Sequence, residues 1–161
     1  MLNVNNGGRA NANELLDIDI KSFDDPWSAE HWSEIVDSPH HSIVVARLYG
    51  TPIAFVVFQA TPATVTILKL CVKQQHRRNG ASLRLLATVF AYARTANAPE
   101  VCIVVPESTI YPGPRNVSKY LQHVGFVATT PFIKGHFHVY GEPEDGVMFI
   151  APSTTIVREP T

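Results

Sequence analysis

The sequence predicts an α/β fold of the α+β type: a mixed, mostly antiparallel central sheet of about six or seven strands flanked by about four helices. Three consecutive apolar, β-branched segments separated by short turns predict an antiparallel meander. A helical segment with an apolar stripe then leads to a short, wholly apolar run. Such a run after a crossover helix is typical of a buried parallel strand, so the sheet is expected to be mixed.

Composition indicates one compact domain, because 45% of the 161 residues are hydrophobic and 17% are charged. We expect this domain to span residues 1–151 and residues 152–161 to form a C-terminal tail. A formal net charge of −1 provides no general basic field, so no nucleic-acid partner is expected. No apolar run is long enough to span a bilayer, and the polar N-terminus is unlike a signal peptide, so no membrane partner is expected either. Cys71 and Cys102 lie in apolar runs, which favours reduced core cysteines and a cytoplasmic protein.

The first third of the chain predicts one strand and two helices. Met1–Ala10 contains a short strand followed by a turn signal, and Asn11–Phe23 has a helical pattern. Ser28 is expected to cap a second helix over Ala29–Val36, because its hydroxyl can accept a hydrogen bond from a free N–H of the first turn.

The middle of the chain predicts the meander and the strongest helix. Its strands are expected over Ser42–Tyr49, Pro52–Ala60 and Thr64–Val72, the first two forming a hairpin. The helix is expected over Ser82–Arg94, with one buried stripe formed by Leu83, Leu86, Ala87, Phe90 and Ala91.

The last third predicts a strand, a helix and a final strand pair. Val101–Val105 is the apolar parallel strand, and Arg115–His123 has a helical pattern that ends near a glycine. Phe126–Phe132 and Gly146–Ala151 are expected to pair around a loop over Lys134–Asp145.

A basic turn joins the third meander strand to the strong helix. Backbone N–H groups at a helix start are unpaired and carry partial positive charge, and a glycine there lets an anion approach closely. The turn therefore suits a phosphate or pyrophosphate, although an ordinary connection with solvated arginines remains the alternative. Neither the P-loop pattern nor the dinucleotide glycine pattern is present. The residues are Arg77, Arg78, Asn79, Gly80, Ala81 and Ser82.

This turn resembles the acyl-CoA pyrophosphate loop of the GNAT N-acetyltransferase superfamily. That loop has Gln or Arg, two further residues, Gly, one residue, then Gly or Ala; Arg77 and Gly80 match it, and Ser82 departs from it mildly. The element order and the run Val124-Gly125-Phe126 are also similar to the superfamily. The segment Phe23–Ser28 resembles the Phe-Pro-Trp-Ser run of the ribosomal-protein N-terminal-alanine acetyltransferases, the branch nearest in pattern.

The resemblance implies a sheet whose strands split at the acyl-CoA site, and transfer of an acetyl group from acetyl-CoA to a primary amine. The amine is expected to belong to a protein or peptide and to attack directly in a ternary complex. The thioester arm would pair with the backbone of Leu70, Cys71 and Val72, where an N–H can stabilise the oxyanion. The pyrophosphate would lie on the turn that ends at Ser82.

The resemblance leaves the general base and acid to be assigned. The glutamate of the nearest branch falls on Val104 or Val105, and Glu107 is the nearest carboxylate. A base is useful because a free lysine amine titrates near ~10.4 and an α-amine near ~8. Glu107 is therefore the candidate base, with a solvated loop acid as the alternative.

The tyrosine of the family's fourth helix falls on Leu121, so its neighbour Tyr120 is the candidate acid and Tyr111 a second one. Two other hypotheses stay open, namely a catalytically weak acyl-CoA-binding module and an acetyltransferase of a small-molecule amine. A third, an acyl-enzyme on Cys71, is disfavoured because apolar surroundings raise a thiol pKa.

Four residues are candidates for the acceptor side: Phe23, Trp27, His136 and His138. The carboxylates of Glu142, Glu144 and Asp145 would make the rim acidic and favour a cationic amine. The alternatives are core aromatic residues and a solvated hairpin. Two histidines without a third ligand do not make a metal site, so no metal is expected.

Overall fold

The computed structural model describes residues 2–6, 12–22, 26–77, 80–113, 116–130, 132–139 and 142–158. The helices of this part are α1 (Ala12–Ser22), α2 (Ala29–Asp37), α3 (Ala81–Thr95) and α4 (Ser118–Val124). Its strands are β1 (Leu2–Asn6), β2 (His41–Leu48), β3 (Thr51–Ala60), β4 (Thr64–Val72), β5 (Glu100–Pro106), β6 (Val127–Ala128), β7 (Ile133–Val139) and β8 (Glu142–Pro152).

The strands form one sheet in the order β1-β2-β3-β4-β5-β8-β6, with β7 also paired to β8. All of these pairs are antiparallel except β4 with β5, which is parallel. The predicted mixed, mostly antiparallel sheet flanked by four helices is therefore confirmed. Two predictions were wrong in this region. The strand expected over Phe126–Phe132 is only Val127–Ala128, and most of the loop expected over Lys134–Asp145 is the β7–β8 hairpin.

The parallel pair β4–β5 is joined only along its first half. Thr64–Ile67 pairs with Glu100–Ile103, and beyond these residues the two strands continue without pairing to each other. We call the segments that do not pair with each other, Leu68–Val72 of β4 and Val104–Pro106 of β5, the free halves of these strands; each still pairs with its other neighbour, β3 or β8. Backbone groups that face no neighbouring strand within a sheet can bind a ligand.

A β-bulge in β4 lies at the point where the strands part. Opposite β3, Val57 pairs with Lys69 and Phe58 pairs with Ile67, so Leu68 is the extra residue. A bulge of this kind bends its strand and redirects the side chains that follow. Leu68 packs in the core beneath α1, and Lys69 also contacts α1.

Two hydrophobic cores lie on opposite faces of the sheet. The larger one is formed under α3 and α4, and the smaller one under α1 and α2. Successive side chains of a strand point to opposite faces of the sheet. In β5, Val101, Ile103 and Val105 pack under α3, while Cys102 and Val104 face the other way.

The buried stripe of α3 is rotated from the predicted one. Leu86 and Phe90 are fully buried as expected, but Leu83 and Ala87 are only half-buried and Ala91 is exposed. Residues four apart lie nearly in line along a helix, and the buried line of α3 includes two alanines and a valine as well as leucine. The remaining buried residues are Ala81, Leu85, Val89 and Ala93.

Two helix ends have the expected caps. The Ser28 hydroxyl accepts a hydrogen bond from His31 N at 3.1 Å at the start of α2. Gly125, with φ of 126°, ends α4, and the following Phe126 packs against Phe90 with ring centroids 5.6 Å apart. The Gly-Phe run thus ends the helix and fills the larger core.

Residues after β8 pack on the domain surface. Ser153 N donates to Pro99 O at 2.9 Å, and the Arg94 guanidinium donates to Ser153 O at 3.1 Å. Thr155 packs so closely over Gly125 that a Cβ there would lie 2.8 Å from the Thr155 methyl. No helix in the described part is long and apolar enough to cross a membrane.

Candidate active site

The predicted phosphate turn begins α3 with a left-handed glycine. Gly80 has φ of 86° and ψ of 0°, a conformation that is costly for any residue with a Cβ. Gly80 makes no side-chain cap hydrogen bond at the start of α3, and the N–H groups of a first helical turn attract anions. The Arg77 side chain is exposed, and its Nε donates to Val72 O at 3.2 Å. Arg78 and Asn79 lie outside the described residues.

Ser82 and Tyr120, which are 38 residues apart, form a hydrogen bond with 2.6 Å between Oγ and Oη. Tyr120 is half-buried against the larger core, whereas Leu121 is 2% exposed within it. Burial raises the pKa of Tyr120, and the bond to Ser82 opposes this effect. The phenol therefore stays protonated at neutral pH and can act as a donor beside the start of α3.

The two other catalytic candidates meet just beyond β5, in a single turn of 3₁₀ helix over Glu107–Thr109 and the residues after it. Tyr111 Oη donates to the Glu107 carboxylate at 2.9 Å, and this bond is the main reason why the pKa of Tyr111 is raised. Ser108 N donates to the Glu144 carboxylate at 2.6 Å, which ties the turn to β8.

The free half of β4 presents alternate side chains to the two cores. Leu70 and Val72 contact the core under α3, and Cys71 is 3% exposed under α1. Desolvation is the main cause that raises the pKa of Cys71 from 9.0 to about 11. At neutral pH this thiol is protonated, which opposes an acyl-enzyme on Cys71.

A buried carboxylate on α1, which was not among the predicted site residues, accepts hydrogen bonds from three donors. Asp19 is fully buried; its Oδ2 accepts from Trp27 N at 2.9 Å and Trp32 Nε1 at 3.0 Å, and its Oδ1 accepts from Lys69 Nζ at 2.7 Å. Lys69 Nζ also lies 4.7 Å from the centroid of the Trp27 ring. A signal was available, because Asp19 lies four residues after the buried Leu15 and so on the inner face of α1.

His136 lies on the same side of the sheet as α1. A Cβ on Gly146 would be 2.6 Å from Val104 Cγ1 and 3.1 Å from His136 Cβ, and Val104 faces away from α3. His136 is exposed and contacts the Phe137 ring edge-on, with centroids 4.8 Å apart. Phe23 and the side chain of His138 lie outside the described residues.

The candidate residues thus lie on two faces of the sheet. Gly80, Ser82 and Tyr120 lie on the α3 side, and Trp27 and His136 lie on the α1 side. In the described residues no group of three His, Cys, Asp or Glu side chains could hold a metal ion. A helix start suited to phosphate, a strand that parts from its neighbour within the sheet and a protonated phenol are features that suit an acyl-CoA-dependent acyltransferase.

The family model agrees with this class. Residues 12–126, well over half of the chain, match the Acetyltransferase (GNAT) family, and the chain belongs to that family. The resemblance drawn from the turn, the element order and the Gly-Phe run is confirmed. No curated protein matches the sequence significantly.

Solved acetyltransferase structures share the fold at low sequence identity. The ribosomal-protein-S18-alanine N-acetyltransferase from Escherichia coli is 15% identical, with 97% of this chain and 96% of that chain covered and a TM-score of 0.81. Arabidopsis thaliana NAA60 in complex with acetyl-CoA is 16% identical, with 94% and 98% covered and a TM-score of 0.79. Ard1 from Thermoplasma volcanium is 14% identical, with 94% and 97% covered and a TM-score of 0.80.

Proposed function

We propose that this chain transfers an acetyl group from acetyl-CoA to a primary amine of a protein or peptide, by direct attack in a ternary complex. The observation that carries the proposal is the parting of β4 and β5 between two differently built sides. One side has a helix start and a phenol, which suit the donor, and the other has aromatic and carboxylate groups, which suit an amine. The free cysteines support a cytoplasmic setting.

The donor side fits acetyl-CoA in its chemistry. The left-handed Gly80 and the start of α3 suit a pyrophosphate, and Arg77 adds a cation nearby. The backbone of Leu70–Val72 is not paired with β5, and this edge suits the amide-rich thioester arm, although Val72 O already accepts from Arg77 Nε. A backbone N–H of this segment would stabilise the negative charge that develops on the thioester oxygen.

The chain's own residues account for the protons of the reaction. Attack of the neutral amine nitrogen on the thioester carbonyl forms the C–N bond and breaks the C–S bond. We assign Glu107 to accept the proton that the amine loses, and Tyr120 to donate a proton to the departing sulfur. The high pKa of Cys71 supports direct attack over a covalent route.

The protein or peptide acceptor is supported by the α1 side of the site. Trp27 follows α1, is half-buried and resembles the tryptophan of the ribosomal-protein branch in its sequence context. Glu142, on the exposed start of β8, adds negative charge that would attract an ammonium group. Trp27→Ala and Glu142→Gln should each raise the KM for a peptide while leaving that for acetyl-CoA nearly unchanged.

A transfer screen over peptides, polyamines and aminoglycosides tests the acceptor class directly. Turnover of peptides in preference to the small amines is the expected result. Turnover of a polyamine or aminoglycoside with none of any peptide would replace the acceptor by a small-molecule amine.

A second candidate function is an acyl-CoA-binding module with weak catalysis. It is favoured by one observation, the apolar Val104 and Val105 where the nearest branch has a glutamate. Steady-state kinetics separates the two functions: a ternary-complex pattern supports the enzyme, and CoA binding without turnover supports the module.

The donor site has a matched control in the chain. Gly80 and Gly50 have nearly equal positive φ values, 86° and 83°, so alanine at either position has a similar backbone cost. Gly80→Ala should lose at least about tenfold in CoA affinity by calorimetry, because its Cβ would hold a phosphate away from the backbone. Gly50→Ala, with nothing within 4 Å of the added Cβ, should bind CoA as the wild type does.

A further inference from the structure

A buried ion pair joins α1 to the free half of β4. Lys69 Nζ lies 2.7 Å from Asp19 Oδ1, and the two side chains are 8% and 0% exposed. By contrast, the pair between Lys21 and Asp17 is largely exposed. Taking two charges out of water is costly, and apolar residues in their place often give equal stability. A role in positioning would account for a charged pair here.

The same carboxylate holds the connection between α1 and α2. Its second oxygen accepts from Trp27 N and Trp32 Nε1, while the Lys69 ammonium lies over the Trp27 ring. Asp19 therefore links the backbone at Trp27 to the side chain of Lys69, which belongs to a different element 50 residues away in sequence.

Lys69 directly follows Leu68, the extra residue of the β4 bulge, and directly precedes Leu70–Val72. On the proposed function, that segment binds the thioester arm and Trp27 forms part of the acceptor wall. The Asp19–Lys69 pair thus links the proposed acceptor residue Trp27 to the strand segment proposed to bind the thioester arm. A pair of fixed charges with three hydrogen bonds can hold this spacing more narrowly than apolar contacts, which are not directional.

We infer that Asp19 and Lys69 are positioning residues. They fix the position of Trp27 relative to the strand segment Leu70–Val72 and thereby set the KM for the acceptor amine. This inference rests on the proposed function. It assigns neither residue to the chemistry, since both are almost completely buried and both are engaged with each other.

Substitution of both partners separates positioning from stability. Asp19→Asn keeps an oxygen for the two N–H donors but turns an amide toward the Lys69 ammonium. Lys69→Met leaves the Asp19 charge buried without its cation. Each single variant should therefore lose stability, while the double variant Asp19→Asn/Lys69→Met contains no buried charge and should regain most of it.

The double variant should regain stability but not the wild-type KM for the acceptor. Its acceptor KM should be raised about tenfold or more, because a small misplacement of a substrate wall is costly, while its KM for acetyl-CoA stays within about twofold. Lys69→Arg, which keeps a cation in the pair, should retain an acceptor KM near that of the wild type.

The experiment measures urea unfolding and initial rates for the wild type, the two single variants, the double variant and Lys69→Arg, with an acceptor that the wild type turns over. A double variant with near-native stability and a near-native acceptor KM would overturn the inference and leave the proposed function intact. Absence of turnover by the wild type with every amine tested would refute the proposed function, and this inference with it.

Discussion

Tyr120→Phe is the sharpest test of the chemistry, because it removes one oxygen and keeps the ring. The phenol is half-buried against the larger core and donates or accepts its one described hydrogen bond with Ser82, at 2.6 Å. If Tyr120 protonates the departing sulfur, the variant lacks a general acid, and kcat should fall by about 10²–10⁴-fold.

The cost to stability should be small by comparison. One hydrogen bond is lost, and the Ser82 hydroxyl loses a partner near the domain surface, which together amount to about 1 kcal/mol of unfolding free energy. A deficit of that size leaves a domain with a typical stability of about 5–15 kcal/mol folded at 25 °C. Urea unfolding of wild type and variant checks that the loss of rate is not a loss of folded protein.

The pH dependence has a definite sign. A general acid must carry its proton, and burial raises the pKa of Tyr120 above its ordinary value of 10.0. The rate that depends on Tyr120 should therefore persist above pH 10 and fall as the pH rises through the folded-state pKa. Since the bond to Ser82 lowers this pKa, Ser82→Ala should move the alkaline limb to higher pH.

The assay is release of free CoA thiol at saturating acetyl-CoA and acceptor, followed against pH for wild type, Tyr120→Phe, Ser82→Ala and Tyr111→Phe. Tyr111→Phe is the matched control, because it removes an exposed phenol that bonds to Glu107. A kcat of Tyr120→Phe within about threefold of the wild type, or a larger loss in Tyr111→Phe, would refute the assignment.

Three further variants probe other parts of the site. Cys71→Ala should transfer acetyl groups at a near-native rate. Folding raises the pKa of the Cys71 thiol from 9.0 to about 11, so the protonated thiol adds stability below pH 9 that is lost as the pH rises to 11. Urea unfolding should show a decline of roughly 3 kcal/mol over this pH range in the wild type that is absent from the variant. Glu107→Gln should depress the rate most at low pH, where the amine most needs deprotonation, by about 10²-fold or more if Glu107 is the base, whereas a change under threefold would return it to a solvated loop acid. Gly146→Ala should cost about 1–3 kcal/mol in unfolding free energy, because its Cβ would lie 2.6 Å from Val104 Cγ1.

Local signals in the sequence determined much of the fold. Ser28 predicted the start of α2, and Gly125 predicted the end of α4, because capping depends on one residue and its close neighbours. The glycine after a basic run located the start of α3. These features need no distant partner, so they can be read before the chain is folded.

The β7–β8 hairpin was predicted as a loop for a physical reason. β7 lies at the edge of the sheet, where polar side chains and Gly135 are tolerated and protect against further pairing. The alternation that marks a half-buried strand is therefore weak in this segment. Pairing with β8 stabilises a strand that its own composition does not favour.

The contacts of the candidate site were decided only by the tertiary structure. Whether Leu121 or Tyr120 faces α3 depends on a rotation of about 100° per residue, which sequence alone left open. Asp19 meets Lys69 across 50 residues because α1 packs against β4 beside its bulge, and a bulge shifts which side chains share a face. Sequence patterns indicate the face of a helix or strand that is buried, whereas the packing of one element on another determines which charged and hydroxyl groups come within hydrogen-bonding distance.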